Sequence, residues 1–139
     1  MMRLIFAVVL VAALAAVFIA ATPAQQDDEG TAQHSVECFA RSDIFATSGN
    51  SLMSTSRSNC DRLTQALTID ADIYLEDPAY DVNFYIGSYS DACVVCRNLI
   101  ATGEEFGLSP GRYSVVATHR MTVHGEEASI TSYSATTVP

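Results

Sequence analysis

The residues most suited to chemistry are Cys93 and Cys96, which stand in a Cys-x-x-Cys spacing within SDACVVCRNLI. Thiols at this spacing exchange disulfides when the first has a lowered pKa, and otherwise close a local bridge. Two further cysteines, Cys38 and Cys60, leave three pairings open. We predict that Cys38 bonds to Cys60, because a Ser-Gly-Asn turn at 48–50 folds the chain back between them. Cys93 then bonds to Cys96 as a structural staple.

Two alternatives use the same cysteines. In a thiol oxidoreductase Cys93 would attack a substrate disulfide, and the run VNFYIGSYSDAC resembles the strand that enters the redox helix of thioredoxin-like enzymes. Only 43 residues follow Cys96, too few for the rest of that fold, and Asp91 opposes a thiolate. Zinc held by four cysteines normally needs two close pairs, whereas Cys38 and Cys60 are far apart in sequence. We therefore expect no metal ligand and no cofactor.

The histidines lack the partners that nucleophilic catalysis requires. No Gly-x-Ser-x-Gly elbow is present, and GSYSD has its serines at other positions. His119 falls on the apolar-leaning face of a predicted strand, which favours a hydrogen-bonded core histidine over a catalytic base. His124 lies in a turn beside Glu126 and Glu127, where we favour a solvated loop over a weak metal site. The sequence thus predicts no catalytic residue.

The first 24 residues have the order of a secretory signal peptide. Arg3 precedes an apolar run from Leu4 to Ala21, and small residues follow it. We predict cleavage after Ala24, with Ala21 as the other candidate position, and an uncleaved membrane anchor as the alternative. The prediction gives an acidic disordered segment at 25–33, a single domain at 34–139, and a secreted, extracellular protein.

The charge of the mature chain excludes some partners. It would carry six arginines, no lysine and all 16 carboxylates, a formal charge of −10. Such a field repels phosphate backbones and anionic membranes. We therefore expect neither a nucleic-acid partner nor a membrane partner after signal cleavage, and an extracellular protein or glycan remains as the class of ligand.

Alternating apolar and polar residues predict the fold. Apolar residues occupy every second position over 67–76, 82–86 and, except at His119, 113–123. Turn residues at Pro78 and Gly125 join these segments into two predicted hairpins, the second closing on ASITSYSATTV. The weaker assignments are strands at 35–42 and 51–58 and helical turns at 60–67 and 93–107.

One motif resembles a known architecture. Leu108, Pro110, Gly111 and Tyr113 are similar to the Leu-x-Pro-Gly-x-Tyr entry to the penultimate strand of immunoglobulin-like and fibronectin-type sandwiches. The resemblance implies that the Tyr113 hydroxyl bonds back to the preceding loop as a structural corner. The strand assignments above add up to about six to seven strands, with turns every 8–15 residues, which predicts an all-β antiparallel sandwich. The whole chain is also similar to small secreted sandwich proteins of actinobacteria.

The function that fits these observations is a secreted, disulfide-stapled binding or interaction module rather than an enzyme. Tyr74, Tyr85 and Tyr133 all fall on predicted outward faces, where tyrosine is an adaptable contact residue. The alternative is a small secreted thiol-disulfide oxidoreductase that uses Cys93 and Cys96.

Overall fold

The computed structural model describes the backbone of residues 7–11, 15–21 and 35–139, and the side chains of 35–139. The described residues form strands and turns with no helix, and neighbouring strands are antiparallel. All seven strands belong to one sheet. They are β1 (Ala7–Val11), β2 (Ala15–Ala21), β3 (Ser35–Thr47), β4 (Ser51–Asp77), β5 (Val82–Glu105), β6 (Gly111–Val123) and β7 (Glu126–Val138).

The segment predicted as a signal peptide supplies β1 and β2. β1 pairs with β2, and β2 pairs with β3 from Ala21 opposite Ser35 to Ala15 opposite Arg41. This pairing does not test whether the segment is cleaved, so the signal peptide stays a prediction. The acidic segment at 25–33 lies outside the described residues. In the described part of the chain, no helix is long and apolar enough to cross a membrane.

β4 organises the sheet because it is 27 residues long and has different neighbours along its length. On one edge its first half pairs with β3 and its second half with β6, while β5 pairs along the other edge. The register shifts between Asn59 opposite Asn98 and Thr64 opposite Cys96, so β4 carries three extra residues there. Such a bulge bends a strand and increases its twist. The helical turns predicted at 60–67 and 93–107 are wrong, because 60–67 and 93–105 are strand and 106–107 begin the loop after β5.

The bend at 60–64 curls the sheet so that its two halves face each other. Ser58 of the first half hydrogen-bonds to His119 of β6, and Ser42 of β3 hydrogen-bonds to Ser132 of β7. β3 to β7 therefore form a curled half-barrel. The expectation of an all-β antiparallel fold is confirmed, but the structure shows no sandwich of two separate sheets. The reason is that β4 and β5 continue through the bend and keep both halves in one sheet.

The core lies inside the curl and follows the predicted alternation. Leu67, Ile69, Ala71 and Ile73 are buried on one face of β4, and the odd-numbered residues of β6 from Tyr113 to Val123 are buried beside them. The predicted hairpins are also present. β4 and β5 are joined across 78–81, and β6 and β7 are joined across His124 and Gly125. Both residues of the second turn have positive φ, which suits a two-residue hairpin loop.

Candidate binding surface

Both predicted disulfides are present, and both lie at the bend. Cys38 of β3 lies directly opposite Cys60 of β4, and their bond joins residues that are 22 positions apart in the sequence. Cys93 and Cys96 are bonded within β5, opposite Leu67 and Thr64 of β4 respectively. The second pair thus sits in a strand and not at a helix amino terminus, the feature that lowers thiol pKa in thioredoxin-like enzymes.

The four residues of the resemblance motif meet at the start of β6. The Tyr113 ring is buried, and its hydroxyl donates a hydrogen bond to the Ser109 carbonyl at 2.8 Å. Leu108 packs against the core, while Pro110 is exposed. Gly111 leaves room for Leu75, since a Cβ there would lie 2.8 Å from Leu75 Cδ1. The geometry is that of a corner that fixes the loop to the strand.

Tyr113→Phe is expected to lower the free energy of unfolding by about 1 kcal/mol, because it removes the side-chain hydroxyl that satisfies the Ser109 carbonyl in this corner. Urea unfolding followed by circular dichroism measures the loss. Tyr85→Phe is the matched control, since its hydroxyl bonds to exposed Ser88 and water replaces it. Equal stability of Tyr113→Phe and the wild type would show that the corner bond contributes nothing.

His119 is fully buried, and each of its ring nitrogens is hydrogen-bonded to a serine hydroxyl. Nδ1 lies 2.9 Å from Ser58 Oγ, and Nε2 lies 2.7 Å from Ser132 Oγ. Burial lowers the pKa of His119 to about 4, so the ring is neutral near pH 7, with one nitrogen donating and the other accepting. A Ser-His-carboxylate triad needs a carboxylate on one nitrogen, and here each nitrogen meets a hydroxyl. The arrangement is a core histidine held by hydrogen bonds.

The histidine belongs to a longer network of buried hydroxyls that sequence reasoning missed. Ser132 Oγ lies 2.6 Å from Ser42 Oγ, and Ser42 Oγ lies 2.7 Å from Ser56 Oγ. Ser56 Oγ in turn lies 2.8 Å from the Tyr89 hydroxyl. Tyr89 also bonds to Ser54 at 2.6 Å. The sequence feature that could have indicated this network is the serine at every second position of STSRS at 54–58, which places a row of hydroxyls on one face of the strand. A fully satisfied buried network of this kind favours one arrangement of the core.

Exposed aromatic and aliphatic side chains collect at the far end of the β4–β5 hairpin. Tyr80 is 79% exposed, Tyr85 61% and Phe84 51%, and Val82 is exposed beside them. The rings of Tyr74 and Tyr85 meet edge to face, with centroids 6.2 Å apart. We call Tyr74, Tyr80, Val82, Phe84 and Tyr85 the hairpin tip. Tyr85 shares the outer face with Tyr74, while Phe84 lies opposite Leu75 on the other face, so the exposed apolar groups surround the end of the hairpin. Such exposed groups mark interaction sites.

Glu76 anchors a polar cluster beside the hairpin tip. The Tyr133 hydroxyl donates to Glu76 Oε1 at 2.6 Å, and Arg112 Nε donates to Oε2 at 2.6 Å. Burial by itself would raise the pKa of Glu76, but the hydrogen bonds from Tyr133, Arg112 and Ser114 outweigh it and lower the pKa below its usual range. Glu76 is thus an anion that holds the Tyr133 ring on the outer face.

No family model, curated protein or solved structure matches this chain.

The hairpin that bears the tip is acidic throughout. Between Leu63 and Cys96 the sequence has six carboxylates and no lysine, arginine or histidine. Two arginines approach from β6, where Arg112 pairs with Glu76 and Arg120 with Asp70. No group of three or more potential ligands in the described part of the chain is placed to hold a metal ion. The surface thus combines aromatic rings with negative charge.

A concave feature lies near the first disulfide. It is a cavity of about 320 Å³ lined by Glu37, Phe39, Asn59, Cys60 and Asp61. The Asp61 carboxylate accepts a hydrogen bond from the Glu37 backbone N–H at 3.0 Å, which ties the bulge of β4 to β3. Two carboxylates at its rim give it the same negative character as the hairpin tip.

Proposed function

We propose that this chain is a secreted binding module that contacts its ligand through the hairpin tip. The supporting observation is the group of large exposed side chains at the end of the β4–β5 hairpin, beside a core filled by the alternate apolar residues of the same strands. Two disulfides lie at the base of that hairpin, one joining β3 to β4 and one within β5, which suits a protein of the oxidising extracellular space. A preorganised surface loses little entropy when it binds.

The ligand class follows from the charge of the surface. Aromatic rings stack on sugar rings and on apolar or cationic side chains, and the surrounding carboxylates accept hydrogen bonds. No basic residue lies between Leu63 and Cys96, and the two arginines that approach from β6 are paired with Glu76 and Asp70, so the hairpin tip disfavours an anionic ligand. The ligand we propose is an extracellular protein surface or a glycan that is neutral or positively charged.

A comparison of two exposed-aromatic variants tests this function. Tyr80→Ser with Phe84→Ser removes two rings from the hairpin tip, and Phe39→Ser removes an exposed ring from β3 as the matched control. The wild type and both variants are immobilised and exposed to culture medium proteins and to an array of neutral, basic and acidic glycans. We expect the bound species to be lost with the tip variant and kept with Phe39→Ser.

The opposite pattern would contradict the proposal. A species that binds the tip variant as well as the wild type does not use the hairpin tip. Binding limited to acidic glycans would contradict the charge argument in the same way. Circular dichroism of both variants checks that each keeps the sheet.

The alternative function, a thiol oxidoreductase, makes a separate prediction about Cys93 and Cys96. As a staple, the pair stays oxidised, so alkylation without reductant should add no mass to the intact protein. A fraction that takes up alkylating reagent near neutral pH and exchanges with glutathione would favour the oxidoreductase instead. Mass spectrometry of the intact chain, before and after the reagent, distinguishes the two outcomes.

We also propose that the chain is related to immunoglobulin-like domains through the Tyr113 corner. The buried ring and its bond to the Ser109 carbonyl support this relation. The single curled sheet differs from the two-sheet arrangement of that class, so the proposed likeness is limited to the corner and the strands around it.

A further inference from the structure

The free edge of β5 is the longest unpaired backbone in the described part of the chain. β5 has 24 residues, and of the described strands only β4 pairs with it. Its outer N–H and C=O groups are therefore available to another strand. Native edges are commonly protected by proline or lysine, and β5 contains neither. This edge is suited to pairing with a further strand.

The sequence of β5 from 97 to 105, which we call the edge segment, has opposite charges at equal distances on either side of Ala101. Arg97 stands four residues before Ala101, and Glu105 stands four residues after it. Within the described residues neither side chain takes part in an ion pair. In an antiparallel pair related by a two-fold axis at Ala101, every residue faces the one at the same distance on the other side.

We propose that two copies of this chain associate through their edge segments, paired antiparallel with Ala101 on the two-fold axis. In that register Arg97 of each copy lies opposite Glu105 of the other, which gives two ion pairs. Ile100, which is 53% exposed, lies opposite Thr102 and diagonal to the second copy's Ile100. The half of each sheet formed by β3, β4 and β5 then continues across the axis.

The residues just outside the edge segment match in the same register. Phe106 is 72% exposed at one end, and Val94 and Val95 are 78% and 70% exposed at the other. Pairing about Ala101 places Phe106 of one copy opposite Cys96 of the second, beside these valines. Each copy thus covers an exposed ring with the apolar disulfide loop of the other, and the contact occurs twice.

The charges also explain why this part of β5 pairs rather than its first half. Arg97 is the only basic residue between Leu63 and Ser109. In the first half of β5 the one charged residue is Asp91. A register that places Asp91 opposite Arg97 would be centred on Val94, inside the Cys93–Cys96 disulfide loop, where Val95 has positive φ and leaves the extended conformation. Because each chain is strongly acidic, approach of two copies is repulsive at long range, and the register with Arg97 opposite Glu105 offsets this repulsion locally while keeping the paired segment in extended strand.

A charge-swap experiment on the full chain tests the dimer. Arg97→Glu and Glu105→Arg each turn both attractive pairs into repulsive ones, so each variant alone should dimerise at least about tenfold more weakly. An equimolar mixture of the two should recover a heterodimer, since the introduced glutamate then faces the introduced arginine while the native Glu105 faces the native Arg97. The double variant should recover the homodimer. Arg57→Glu, on the outer face of β4, is the control with the same change in charge.

Sedimentation velocity up to about 0.5 mM protein detects any dimer with a Kd below about 1 mM. The expected series is a dimer for the wild type, the Arg57→Glu control, the double variant and the mixture, and a weakened dimer for each single variant. A wild type that stays monomeric throughout overturns the proposal. Single variants that dimerise as the wild type does, or a mixture that dimerises no better than its components, also overturn it. Circular dichroism and thermal unfolding of each single variant exclude misfolding as the cause.

Discussion

Ile73→Asp is expected to unfold the domain near pH 7, with a loss of more than about 4 kcal/mol in the free energy of unfolding. Ile73 is 1% exposed and lies in the middle of the sheet, opposite Gly87 of β5 and Val115 of β6. A carboxylate there would be ionised without a partner, or protonated with its hydroxyl unsatisfied. Either state costs a large part of the stability of an ordinary domain.

The neighbouring residue provides the matched control. Asp72 lies on the opposite face of β4, is partly exposed, and accepts only a long hydrogen bond of 3.4 Å from Tyr74. Asp72→Ile should therefore change the free energy of unfolding by less than about 1 kcal/mol. Urea unfolding of both variants, followed by circular dichroism, gives the comparison. Similar losses at the two positions would contradict a strand with one buried face.

The half-buried strands could be predicted because burial on one face imposes period two on the sequence. In β4 the buried odd-numbered residues from Leu67 to Ile73 are all apolar, and in β6 the run from Tyr113 to Val123 is interrupted only by His119. The turns were predictable because they need residues that tolerate positive φ, and glycine and asparagine do so most readily. Asn50, His124 and Gly125 all have positive φ. Local chemistry thus specified the strands and the hairpins that join them.

The bend was not predictable from the same pattern. Three consecutive exposed residues, Asp61 to Leu63, interrupt the alternation, and the buried face moves from even positions, such as Ser58, to odd positions from Leu67. An interrupted alternation is also what a short helical turn produces, which is why 60–67 was misassigned. Whether the two halves form one sheet or two depends on whether β4 continues through the bulge, and no local residue preference decides that.

The candidate site was predictable in part. The outward positions of Tyr74, Tyr85 and Tyr133 follow from strand parity, and the structure places all three on the outer face. The hydroxyl network around His119 was missed because serine is not apolar, so an inward row of serines leaves no hydrophobic pattern. Its consequence appears in the pH dependence of stability.

Acidification from pH 7.5 to pH 5 is expected to lower the free energy of unfolding by about 2 kcal/mol through His119 alone. The pKa of this histidine is lowered from 6.5 to about 4 in the folded state because burial disfavours the charged ring. Between these two values the unfolded chain binds the proton and the folded chain does not. The stability is fully present above pH 6.5 and is lost as the pH falls towards 4, to a total of about 3 kcal/mol.

His119→Gln isolates this effect, because the amide can still donate to one serine and accept from the other but does not titrate. Urea unfolding at pH 7.5, 6 and 5 should show a steep loss for the wild type and a loss smaller by about 2 kcal/mol for the variant. Glu76 does not affect the comparison. Its pKa is lowered from 4.5, so the stability that depends on its charge is lost below pH 4.5, and this loss is the same in both proteins. Identical pH profiles for the two proteins would mean that His119 takes up its proton without unfolding the core, and the network of buried hydroxyls would then have to accommodate a charged ring.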